Sequence, residues 1–130
     1  MKKLNLILII VGVVIIIFFM IFRLGGEDSW IKDSQGVWVK HGFPSETPDY
    51  VFEQQEAFEC VLQLYEDEKD KGAEFSSQCL GTCGNYAVDI VSVPRNTDDN
   101  LAENQCGDYK TGKVKNFIEL DKYGNVVRVV

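Results

Sequence analysis

Residues 4–22, LNLILIIVGVVIIIFFMIF, carry no charge, and no fold of this chain can treat them like the rest. As a helix at 1.5 Å per residue they would run roughly 28 Å, close to the ~30 Å hydrocarbon core of a bilayer. Burying such a helix on all sides would need far more protein than the hundred or so residues that follow. The run therefore predicts a membrane-spanning segment over 4–22, behind a three-residue head, 1–3, and before a polar spacer, 23–29. Lys2 and Lys3 resemble the start of a secretory signal, but the apolar stretch exceeds the 7–15 residues usual for one. Arg23-Leu24-Gly25-Gly26 offers no small-residue cleavage site and no nearby cysteine. An uncleaved anchor is expected. Lysine and arginine counts on its two sides nearly balance, so they leave orientation to the cysteines.

Those cysteines are Cys60, Cys79, Cys83 and Cys106, all in the part after the run. An even number in a small domain reads first as two disulfides and an oxidising compartment. That places residues 30–130 outside the cytoplasm and the head inside. Cys79 and Cys83 stand one residue too far apart for the C-x-x-C of thioredoxin-like enzymes. One close pair and two singles also fit a four-thiolate zinc site poorly. Pairing Cys79 with Cys83 would close little chain. The larger entropy gain favours Cys60 bonded to one of these two and Cys106 to the other.

All twenty acidic residues follow the run, and from Gly25 onward they face ten basic ones, a net charge of −10. Such a field repels nucleic acid and excludes it as a partner. Acidity alone also serves solubility.

The punctuation of residues 30–130 predicts an α+β domain, one main helix packed on antiparallel strands. Trp30–Lys32 and Val37–Lys40 flank Asp33-Ser34-Gln35-Gly36, a type I turn pattern. Thr47-Pro48-Asp49 opens a helix that runs to about Lys71, with Gly72 just beyond it. Val51, Phe58, Val61, Leu62 and Tyr65 are its expected core stripe, which makes Phe58 a large core anchor. Cys60 falls on the flank, a staple to a loop. Residues 73–85 read as a cysteine-bearing loop or short helix, Tyr86–Val93 as a strand, 95–112 as a long polar loop, and 113–130 as a final hairpin.

The segment Trp30-Ile-Lys-Asp-Ser-Gln-Gly-Val-Trp-Val-Lys-His-Gly-Phe-Pro-Ser45 resembles W-[IV]-C-x-x-G-x-W-V-K-H-G-x-P-S in small exported microbial proteins of unknown activity. Lys32 stands here where those have cysteine, and the turn has one more residue. The resemblance covers about sixteen residues. It implies a surface-tethered module and no particular chemistry.

No catalytic residue, metal ligand or cofactor emerges. His41 is the only histidine and lies in a loop-like Lys-His-Gly link. No P-loop, G-x-S-x-G or H-E-x-x-H is present. Asp98, Asp99, Asn100, Glu103 and Asn104 lack the calcium-loop spacing and its glycine. Trp30 and Trp38 fit a core role better than an open binding face. The leading expectation is a single-pass, membrane-anchored binding or structural module, acting on an unknown protein or surface partner. The alternatives are a thiol–disulfide enzyme using Cys79 and Cys83, and a pilin-like subunit, which Gly25-Gly26 argue against by breaking the helix.

Overall fold

The structure is a computed structural model describing residues 2–24 and 28–130. It comprises two compact units, residues 1–29 with 40–45, and residues 30–39 with 46–130. The elements are α1 (Lys2–Leu24), β1 (Ser29–Lys32), β2 (Trp38–His41), α2 (Asp49–Asp70), β3 (Gln78–Cys83), β4 (Tyr86–Ile90), a 3₁₀ turn (Asp98–Asn100), α3 (Gly107–Lys110), β5 (Asn116–Leu120) and β6 (Val126–Val129).

In the first unit the membrane-spanning helix expected over 4–22 is overturned: among the described residues, no helix is long and apolar enough to cross a membrane. The backbone of α1 is helical from Lys2 to Leu24. The large apolar side chains described in α1, such as Ile7, Phe18 and Ile21, are exposed. The expected helix break at Gly25-Gly26, like Met1 and Glu27, lies outside the described residues.

The larger unit is α+β, with the four-stranded order β3-β4-β5-β6. The all-antiparallel expectation fails at its centre, where β4 and β5 run parallel. Parallel neighbours need a crossover of a dozen or more residues, and 91–115 supplies it. Residues 78–83, expected in a loop or short helix, instead form the edge strand β3, antiparallel to β4. Strand alternation sends Tyr86, Val88 and Ile90 of β4, with Ile118 and Leu120 of β5, toward α2. Ala87 and Phe117 face the other way, against Cys106 and Val114 of the crossover.

α2 ends in a Schellman motif: Ala73 N–H donates to Glu68 O and Gly72 N–H to Lys69 O, with Gly72 at φ 80°. Its buried face differs from the expected stripe. Val51, Gln54, Ala57, Val61 and Tyr65 are buried, Phe58 is half-buried, and Leu62 is 60% exposed. The stripe is centred closer to Ala57 because Gln54, a polar side chain, belongs to it. Gln54 is 2% exposed; its Oε1 accepts Trp38 N–H at 2.8 Å and its Nε2 donates to Gly36 O at 3.2 Å. The turn after β1 is thereby pinned to α2. On its other side Gln35 O accepts Val129 N–H at 2.7 Å, and Gln35 Nε2 donates to Val126 O at 2.7 Å. This covers the open edge of β6, a device that keeps edge strands from pairing with other chains.

Candidate functional site

Two disulfides join the elements: Cys60–Cys83 ties α2 to the end of β3, and Cys79–Cys106 ties the start of β3 to the residue before α3. This is one of the two crossed arrangements expected. Cys79 and Cys83 are therefore not bonded to each other, so the pair proposed for redox chemistry does not exist as a unit. The bridges also consume the thiolates that a four-cysteine zinc site would need.

On the sheet face turned away from α2, register aligns one residue from each strand. Cys79 of β3 is opposite Asp89 of β4, Asp89 opposite Glu119 of β5, and Glu119 opposite Arg128 of β6. The sequence holds only three arginines, Arg23, Arg95 and Arg128, and the two in the larger unit converge on Glu119. Arg95 Nη1 lies 2.7 Å from Glu119 Oε1; Arg128 Nε lies 2.9 Å from Oε2 and its Nη2 3.1 Å from Oε1. Glu119 is only 5% exposed, so these charge-assisted bonds replace the water it has lost. The same bonds raise Arg128 above the usual arginine value. The Arg128 guanidinium lies 4.9 Å from the centre of the Phe117 ring, which Tyr109 meets edge-on at 5.2 Å.

The crossover folds Asp89, Glu119 and Arg128 of this row into a cleft of about 140 Å³, with Asn100, Asn104, Gln105 and Tyr109 at its lip. Asp99 fixes the turn beneath it: Oδ1 accepts Ser92 N–H at 2.9 Å and Oδ2 accepts Asn96 N–H at 2.8 Å. Burial alone would raise this carboxyl, but those bonds and Arg95 hold it below the usual range. Its two oxygens already have donors, and Asn104 Nδ2 donates to Asp98 O at 2.9 Å. The acidic stretch 98–104 therefore organises a turn.

Asp89 is the exception in the row. Burial first, and repulsion from Glu119 next, push its carboxyl up to about 6, against the opposing pull of Cys106 N–H and Arg95. Its Oδ1 accepts that N–H at 3.2 Å. A carboxyl oxygen of Asp89 and the sulfurs of Cys79 and Cys106 all lie within 4.8 Å of one another. Two thiolates and a carboxylate at that spacing suit a metal ion, but bridged sulfurs are poor ligands. A half-buried acid with a raised pKa, beside a charge partner in a cleft, makes Asp89 a functional-site candidate.

The remaining sequence candidates lie elsewhere. His41 is exposed in β2. Trp30 Nε1 donates to Glu46 O at 3.0 Å, and Trp38 packs on Tyr50 with ring centres 4.7 Å apart. Sequence reasoning missed Asp89, Arg95, Glu119 and Arg128. The available signal was a single acid inside each of two apolar strands, YAVDI and NFIEL, together with the scarcity of arginine. No protein-family model, curated protein or solved structure matches the chain.

Proposed function

We propose that this protein is a binding module of an extracytoplasmic, oxidising compartment, and that it engages its partner through the cleft around Glu119. The observation that carries the reading is the convergence of both arginines of the larger unit on one buried carboxylate. Such a triad is costly to desolvate and fixes the cleft wall in one geometry. Preorganised polar groups at a concave site favour recognition, because little ordering remains to oppose binding. The two bridges support the compartment, since disulfides persist where the surroundings are oxidising. The resemblance of residues 30–45 to exported modules points the same way. The cleft and both bridges lie within the larger unit.

The test places a photo-crosslinking residue at Asn104, on the lip, and a control at Glu56, exposed on α2. A discrete adduct from position 104 and none from 56 is the expected result in cells producing the full chain. Equal labelling from both, or none from 104, would overturn the cleft as the contact site. Alkylation of the protein straight from acid-quenched cells should find Cys60 and Cys83 protected, whereas free thiols at that pair would refute the compartment.

A further inference from the structure

We propose that Cys79–Cys106 is an exchangeable disulfide, opened when an external dithiol attacks Cys79 Sγ and Asp89 gives a proton to the departing Cys106 sulfur, while Cys60–Cys83 stays closed. This does not depend on the binding reading. Both bridges join an exposed cysteine to a buried one, so accessibility alone does not separate them. The surroundings of the buried sulfur do. Cys83 sits in the main apolar cluster with Val61 and Val88, and Cys106 in a smaller one with Ala87 and Val114. A departing thiolate is disfavoured in both, and among the described residues only Cys106 has an ionisable group beside it. A carboxyl oxygen of Asp89 lies within 4.8 Å of the Cys106 sulfur. That sulfur also lies 3.3 Å from Gly81 O and 3.4 Å from Val88 O. Those carbonyl oxygens would repel a thiolate but accept a bond from an S–H, so they favour Cys106 as the sulfur that leaves and is protonated.

The step balances. One thiolate of the dithiol forms a bond to Cys79 Sγ; the Cys79–Cys106 bond breaks, and its electron pair goes to Cys106 Sγ. That sulfur takes the Asp89 proton, leaving a carboxylate that water reprotonates. The dithiol's second sulfur then loses its proton, displaces Cys79 and closes a cyclic disulfide. The bridge gains two electrons and the dithiol loses two. Transfer from a carboxyl near 6 to a thiolate whose unperturbed value is ~8.5 runs downhill. The charged and titratable groups around Asp89 are Glu119 on β5, Arg128 on β6, Arg95 after β4, Asp99 in the 3₁₀ turn and Tyr109 on α3. Opening the bridge also releases the crossover, which carries Arg95, from β3.

The experiment exposes the full chain to dithiothreitol between pH 5 and 8, quenches with acid, alkylates, and maps the labelled cysteines by peptide mass. Cys79 and Cys106 should label at least about tenfold faster than Cys60 and Cys83. Divided by thiolate concentration, the rate should fall as pH rises through the range where Asp89 ionises. Asp89→Asn should slow opening about tenfold or more at pH 5.5 and erase that fall, as loss of a general acid does. Simultaneous opening of the two bridges, earlier opening of Cys60–Cys83, or an Asp89→Asn rate equal to wild type would overturn the proposal. Should that variant misfold, the wild-type profile decides alone: a rate per thiolate that stays flat with pH refutes the role of Asp89.

Discussion

Asp89 is held at a cost to the fold. Its carboxyl titrates near 6 in the native chain against about 3.9 when unfolded, so the folded state binds its proton more tightly. The stability this contributes is complete below pH ~4 and is lost as pH rises through 6. Allowing for its partial exposure, the loss is about 1–2 kcal/mol. Asp89→Asn should therefore stabilise the protein by about that amount at pH 7.5 and change little at pH 4, as read from urea midpoints at both values. Asp99 has the opposite sign: its lowered carboxyl adds stability above its unfolded value that is lost in acid. Gln54 is the second residue whose role is decided by burial. Removing its side chain strands Trp38 N–H and Gly36 O, so Gln54→Ala should cost about 2 kcal/mol in the urea midpoint with an unchanged slope.

At the scale of elements, α2 is the sharpest test of the packing. Val61→Ala should cost about 2 kcal/mol, because Val61 is 1% exposed in the main cluster. Leu62→Ala should stay within about 0.5 kcal/mol, and thermal unfolding of the pair separates the two faces. Much of the secondary structure was legible because its signals are local: Pro48 and Gly72 bound α2, and Asp33 with Gly36 closes the turn after β1. The face of α2 was misread because apolar periodicity ignores a glutamine whose amide is satisfied by the backbone of another element. The parallel β4–β5 pairing was hidden for a similar reason. A strand carries no local mark of its neighbour's direction, and 91–115 read as a polar loop is equally a crossover. The site was least legible of all, since Cys79, Asp89, Glu119 and Arg128 share a row only through register across four strands.

For the whole molecule, the two bridges close loops of similar size, with sequence separations of 23 and 27. Chain entropy gives each about 3.5 kcal/mol, so it does not rank them. Replacing either pair by alanine should cost about 3 kcal/mol in thermal or urea unfolding. The loops also overlap, because residues 79–83 of β3 belong to both. Pulled from its ends, the chain between Cys60 and Cys106 would follow a short covalent route through both bridges and the five residues 79–83 of β3. Most of the contour length between those cysteines is thus locked away from tension, even in a fully unfolded molecule. In a single-molecule stretching experiment, opening Cys79–Cys106 alone should release about 60 Å of extra extension, and opening Cys60–Cys83 alone about 45 Å. The interlaced bridges thus make the maximum reach of the stretched chain depend on its redox state.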